Sequence, residues 1–179
     1  MKSRTDIELF QLTKAGRNDA FEELFHRYRQ KAFNVAYRTT GAYEAAEDIV
    51  MESFIKLYQT DNRINTSFSS YFYRLVINTC YNYVRKQNRT TSIPDESIVR
   101  APEESDPLRA ALMTEAEENA RKALDSLPVK LRCAFILTKY EGLSYRETSE
   151  IMHVSEKALG SMISRAREKL QKYYREEMK

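Results

Sequence analysis

Between Ser70 and Gln87, the residues Tyr71, Arg74, Asn78, Asn82 and Arg85 recur at steps of three and four, with Tyr81 beside them. That spacing puts them on one side of a helix. Rings on which bases stack, cations for phosphates and amides for base edges are together what a single-stranded nucleic-acid surface needs. A solvated helix face made of the same side chains is the plain alternative. Further on, Lys157, Gly160, Ser161, Ser164 and Arg165 share a face, followed by Arg167 and Lys169. Residues near the start of a recognition helix reach base edges in the major groove, where Arg pairs with guanine, and later cations meet phosphates. Helical hairpins also serve as scaffolding, so this pattern alone leaves both uses open. A third stripe, Asp48, Met51, Glu52 and Ile55, mixes carboxylates with apolar side chains. It suits docking of a basic, partly apolar partner, unless Met51 and Ile55 simply widen a buried stripe.

Other chemistry is poorly represented. Glu47, Asp48 and Glu52 could hold Mg²⁺ as a pair or trio of acids. They share a face with Met51 and Ile55, however, and lack an accompanying His or Lys, so no enzyme is expected. No Walker-type glycine loop is present. The two cysteines, Cys80 and Cys133, lie far apart in the chain and are not expected to form a disulfide framework or a thiolate metal site. His26 and His153 add no ligand cluster. Neither metal nor cofactor is expected. No apolar run approaches the ~18 residues that cross a bilayer, and the N-terminus lacks the apolar core of a secretory signal. A cytoplasmic protein without membrane insertion follows as an expectation.

The elements that must carry these stripes are helical. Four Gly and four Pro in 179 residues argue against a turn-rich β protein. An opening segment from Asp6 to Lys14 stops at Gly16; Asn18 and Asp19 offer an N-cap to the next helix, and Asp19 with Glu22 a capping-box-like pair. In that helix Phe21, Leu24, Phe25 and Tyr28 mark a core face as far as Thr39-Thr40-Gly41. The third helix spans about Ala42 to Gln59, with Val50, Phe54, Leu57 and Tyr58 as its buried stripe. Asp61 to Ser70 reads as a polar loop. The fourth helix, about Ser70 to Gln87, should bury Phe72, Leu75, Val76, Thr79 and Tyr83.

From Thr90 to about Glu118 the chain is acidic, holds Pro94, Pro102 and Pro107, and is poor in large apolar residues before Leu108. Such a stretch cannot bury enough surface to offset chain entropy, and reads as a linker with a helical end. Beyond it, Leu124, Leu127, Leu131, Phe135 and Ile136 gather around Pro128, and Gly142 ends a helix over 130–141. Ser144 with Glu147 caps a short helix to Met152, and Ser155 caps a longer one from Glu156 to about Tyr174 with Leu159, Ile163, Ala166 and Leu170 inside. Short helix, turn and long helix make a helix-turn-helix. Formal charge is only +3, but both ends are net basic and the stretch between them net acidic. An all-α protein is therefore expected: two small helical domains, 1–89 and 119–179, joined by a flexible acidic linker, 90–118.

The order of segments resembles the extracytoplasmic-function (ECF) sigma factors, the two-domain type of bacterial RNA polymerase initiation subunit. Four stretches carry the likeness: 20–28 around Phe21 and Tyr28, 46–56 around Asp48 and Glu52, 68–85 with its Tyr-Arg and Asn, and Leu127-Pro128 through Leu170 with Ser164-Arg165-Ala166-Arg167. The resemblance implies a four-helix sigma-2 domain and a helix-turn-helix sigma-4 domain. Asp48, Met51, Glu52 and Ile55 would dock on the coiled coil of the polymerase largest subunit, with the flap as a further contact. Phe68, Tyr71, Arg74, Asn78, Asn82 and Arg85 would hold the unpaired minus-ten strand, with Asn78 near a flipped base. Lys157, Ser161, Ser164, Arg165 and Arg167 would read the minus-thirty-five duplex. An anti-sigma factor is a common partner in such a family. The chain departs from the pattern at Tyr71 (often Trp), Met51 (usually Gln), Gly160 (often Lys or Arg) and Met162 (often Arg). An autonomous helix-turn-helix regulator is the alternative reading.

Overall fold

The computed structural model describes residues 4–60, 64, 66–90 and 114–177. Residues 91–113 of the proline-bearing stretch and most of the loop after Thr60 lie outside them. The N-terminal helices are α1 (Asp6–Lys14), α2 (Asn18–Thr40), α3 (Tyr43–Gln59) and α4 (Phe68–Thr90). The C-terminal ones are α5 (Glu115–Asp125), α6 (Val129–Phe135), α7 (Tyr145–Met152) and α8 (Glu156–Glu177). Among the described residues no element is a strand, and no helix is long and apolar enough to cross a membrane.

Local chemistry sets most helix ends. Thr5 with Glu8, Thr114 with Glu117 and Ser144 with Glu147 are reciprocal capping boxes that satisfy first-turn N–H groups. Gly41 closes α2 with φ +71°, a left-handed turn that a side chain resists. The expected capping box on α2 does not form. Arg17 is its N-cap, and Asp19 instead pairs with the Arg17 guanidinium at 2.8 Å. Past Phe135 the backbone widens into a π turn over Ile136–Tyr140, where the Glu141 N–H reaches the Ile136 carbonyl at 3.1 Å. The turn ends at Gly142, φ +69°.

Leu24, Tyr28, Phe54 and Phe72 form the middle of the N-terminal core, with rings meeting edge-on or tilted (Phe54 to Phe72, 4.6 Å between centroids). Phe68 belongs to this core. It is 2% exposed, with Phe10, Tyr28 and Phe72 around its ring. It therefore offers nothing to a strand from this position, contrary to its place in the minus-ten set. Tyr58 departs in the opposite sense: expected inside, it is 52% exposed. One step past Leu57, it has rotated off the buried side of α3.

The two halves pack against each other. Cys133, Ile136, Leu137 and Ile151 join the N-terminal apolar cluster, while Leu124, Leu127, Leu131, Leu159 and Ile163 form a second cluster within the C-terminal half. As a result α4 is buried on two sides. Phe72 and Val76 are buried as the spacing predicts, but so are Tyr73, Ile77, Cys80 and Val84. Leu75 and Tyr83 are only partly buried.

Candidate nucleic-acid interface

The helix-turn-helix is built by two caps and one unusual turn. After α7, His153 adopts a left-handed conformation (φ 53°, ψ 45°) and its N–H closes the helix on the Ser149 carbonyl. Ser155 then accepts a hydrogen bond from the Ala158 N–H at 3.1 Å and starts α8. Leu159, Met162, Ile163 and Ala166 are buried beneath α8, which leaves Lys157, Ser161, Ser164 and Arg165 exposed together and Arg167 on the flank. Met162 faces the core, so no surface cation is missing there. Gly160 sits between Lys157 and Ser161; a Cβ there would meet only the Tyr145 ring, at 3.9 Å. The five expected duplex-reading residues thus lie on one helix, open to solvent.

The α4 stripe is divided. Asn78, Asn82 and Arg85 are exposed, and Arg85 Nη2 donates to Asn82 Oδ1 at 3.3 Å. Tyr71 and Arg74 are half-buried. Tyr71 donates its hydroxyl to Thr60 Oγ1 at 3.0 Å, and Arg74 Nη2 donates across to the Glu150 carbonyl of α7 at 3.1 Å. Arg74 Nε is buried with no hydrogen-bond partner among the described residues, so this contact satisfies the guanidinium incompletely.

On α3, Asp48, Met51, Glu52 and Ile55 are all exposed, Met51 at 53% and Ile55 at 51%. The stripe therefore does not widen the core. It borders an open groove of about 610 Å³ between α2 and α3, whose walls include Phe25, Arg29, Phe33 and Glu47. Lys56, overlooked beside these acids in the sequence, pairs with Glu52 at 2.7 Å. Among the described residues no group of three or more His, Cys, Asp or Glu is placed to hold a metal ion.

The seam between the halves contains functional groups that periodicity did not single out. Arg132 is 1% exposed, yet its guanidinium donates to Asp125 Oδ1 (2.9 Å), to the Asp125 and Leu127 carbonyls (2.8 and 3.1 Å) and, across the seam, to the Thr39 carbonyl at the end of α2 (2.7 Å). Burial pushes the Asp125 carboxyl up and the Arg132 guanidinium down, each partly offset by the other's charge. Nearby, Tyr73 donates to Glu141 Oε2 at 2.9 Å. Arg38 lies 3.6 Å from the same carboxylate and 4.6 Å from the centre of the Tyr140 ring. Burial, with Glu141 adding to it, raises the Tyr73 phenol well above its ordinary value and keeps it a proton donor. The one sequence signal for this seam was α4 itself, apolar on more sides than a surface helix needs.

The sigma-70 region 2 family matches residues 24–90, and the sigma-70 region 4 family matches residues 117–170. The chain is 32% identical to the ECF RNA polymerase sigma-E factor of Salmonella typhimurium over 92% of its own length and 91% of that protein. It is 29% identical to the RNA polymerase sigma-H factor of Pseudomonas aeruginosa, over 93% of this chain and 92% of that one. Its fold is similar to that of the sigma factor RpoE from Bartonella quintana, solved in complex with the anti-sigma factor NepR: TM-score 0.66, 22% identity, 87% of this chain and 96% of that chain covered. Two helical units bearing sigma-70 regions 2 and 4, in that order over nearly the whole length, make this chain a member of the extracytoplasmic-function RNA polymerase sigma factors.

Proposed function

We propose that this sigma factor directs promoter-specific initiation by binding alone, with three faces dividing the work. Asp48, Met51, Glu52 and Ile55 on α3 dock on the coiled coil of the polymerase largest subunit, and the C-terminal half meets the flap. Tyr71, Arg74, Asn78, Asn82 and Arg85 on α4 capture the unpaired minus-ten strand; Phe68, being in the core, supports them from beneath. Lys157, Ser161, Ser164, Arg165 and Arg167 read the minus-thirty-five duplex. The units are residues 1–89 and 119–179, and the acidic stretch 90–118, whose last residues already form the first turn of α5, sets their spacing. The work is done in the cytoplasm, where polymerase and promoter are, and an anti-sigma factor, as RpoE has in NepR, is a fitting regulator.

Unstacking a base costs a few kcal/mol, and stacking on protein aromatics returns ~1–3 kcal/mol per base. A protein that holds the unpaired strand better than the duplex shifts DNA toward the open form without consuming nucleotide. In the arrangement described here Arg74 is bonded to Glu150 across the seam. Strand capture therefore requires that contact to break, and the two halves to part far enough to reach two promoter elements.

The observation that carries this reading is the exposed Met51 and Ile55 between Asp48 and Glu52. A regulator acting on duplex DNA alone has no use for such a stripe, whereas a subunit that must join the polymerase does. Reconstitution with core polymerase tests it: the purified chain should form a holoenzyme and drive run-off transcription from a genomic promoter pool. Tight, specific duplex binding by a dimer without polymerase, and no holoenzyme, would overturn it.

A further inference from the structure

Three of the four glycines have a backbone reason to be where they are: Gly16, Gly41 and Gly142 hold positive φ angles of 85°, 71° and 69°. Gly160 does not. It lies in the second turn of α8 in ordinary helical conformation, and a Cβ there would meet only the Tyr145 ring, at an unstrained 3.9 Å. Glycine inside a helix weakens it relative to alanine. Nothing within the chain asks for glycine at this position.

The missing side chain leaves a notch at the edge of the exposed face of α8. Lys157, three residues before, and Ser164, four after, lie on the same side of the helix, and both are exposed. Ser161 turns its hydroxyl back onto the Lys157 carbonyl at 3.2 Å. The far wall is Tyr145, at the start of α7, which is 38% exposed and belongs to neither apolar cluster. Bare backbone and aromatic carbon thus face one another among polar neighbours.

We propose that Gly160 and Tyr145 form a specificity notch that takes the C5-methyl group of a thymine in the minus-thirty-five duplex. This rests on the assignment of α8 to that duplex under the proposed function. The chemistry of the notch selects its ligand. A phosphate needs donors or positive charge, and the notch supplies neither. The Gly160 N–H lies beyond the first turn, where backbone N–H groups are bonded within the helix, and Tyr145 turns a ring carbon toward it. On the major-groove edge of a base pair the apolar group is the thymine methyl. Size agrees, since the group absent from Gly160 is itself one methyl. An alanine there would fill the space with its own. Lys157, Ser161, Ser164 and Arg165 remain the polar readers, and the notch adds a preference for thymine at one position.

The test reads the methyl alone. Holoenzyme assembled from the full-length chain and core polymerase picks its strongest promoter from the genomic pool. Each thymine of the minus-thirty-five element is then replaced in turn by deoxyuridine, which lacks only the methyl, and affinity is measured by competition. One replacement should weaken binding by about fourfold, the worth of one buried methylene-sized group. In Gly160→Ala that replacement should have no effect, the thymine duplex now binding as weakly as the deoxyuridine one, although this variant should melt higher than the parent. Tyr145→Ala should abolish the discrimination and Tyr145→Phe restore it. An element without thymine, no replacement that matters, or discrimination that survives either alanine variant would overturn the notch. So would equal deficits in Tyr145→Phe and Tyr145→Ala that ignore deoxyuridine, which would place the tyrosine hydroxyl on a phosphate instead. If no holoenzyme forms, the same replacements are made in a duplex selected by the chain alone. A methyl effect there would keep the notch and sink only the polymerase reading; no duplex binding in either form would sink both.

Discussion

Helices α4 and α8 both carry polar stripes suited to DNA, but the fold treats them differently. α8 is packed along one side, so Lys157, Ser161, Ser164 and Arg165 face solvent together. α4 is packed on two sides, and its stripe is split between the open Asn78, Asn82 and Arg85 and the half-buried Tyr71 and Arg74. A duplex-reading face can be ready before its target arrives, because duplex DNA presents its grooves without rearrangement. A strand-capturing face, the role proposed for α4, is useful only once DNA has opened, and Tyr71 and Arg74 of that stripe are held by bonds to Thr60 and Glu150.

The most severe way to break this contrast is to remove the seam's buried cation. Arg132→Ala deletes the four hydrogen bonds described above, among others, and leaves Asp125 without its buried partner. Losing one member of a buried pair typically costs roughly 3–5 kcal/mol. Urea unfolding should show a loss of that order, with faster thiol labelling of Cys80 and Cys133; unchanged stability would mean the seam is not held there. Asn78→Ala sharpens the comparison without touching the fold, since Asn78 is exposed. Promoter opening, followed by a fluorescent base, should weaken by ~1–3 kcal/mol, while core-polymerase affinity stays the same. Equal loss of both would refute the split between faces.

Glu52→Lys addresses the third face. It reverses a charge in the proposed docking stripe and ends the pairing with Lys56. Association with core polymerase should weaken by about tenfold, ~1.4 kcal/mol, with duplex binding by α8 unaffected; unaltered core affinity would count against the stripe. Gly160→Ala works in the opposite direction on α8. The added Cβ would meet Tyr145 at an ordinary 3.9 Å, and alanine gains up to ~1 kcal/mol of helix propensity, so thermal stability should rise.

The smallest effect is acid-dependent. Hydrogen bonds from the Ser144 side chain and backbone hold the Glu147 carboxyl below its ordinary 4.5. A depressed carboxyl contributes stability that is present above its unfolded value and lost as pH falls through the folded one. Glu147→Gln should therefore flatten stability against pH below about 4.5 and change it little at pH 7. An identical acid profile in the variant would show that this cap carries no charge-dependent share.

Much of this was legible in the chain. Ser144 with Glu147, Ser155 and Gly142 mark the helix-turn-helix because a cap needs only a side chain and backbone groups within a few residues. The open face of α8 followed from spacing because only one side of that helix is covered. Spacing could not say whether Met51 and Ile55 lay inside or out, since a slightly wider core stripe has the same periodicity; the packing of α2 on α3 settled it. The resemblance put Phe68 among the strand contacts, whereas its ring is drawn inward by Phe10, Tyr28 and Phe72.

From the residues alone came most of the helices, the Ser144 and Ser155 caps, the acidic break and the three stripes, because each is written in contacts spanning a turn or two. Tertiary structure alone decided that α4 has two buried sides, that Arg74 reaches Glu150, that Arg132 caps α2 through Thr39, and that Cys80 and Cys133 share one buried core. Those contacts join residues dozens of positions apart. Periodicity states which side of a helix is apolar; only the packed chain states what covers it.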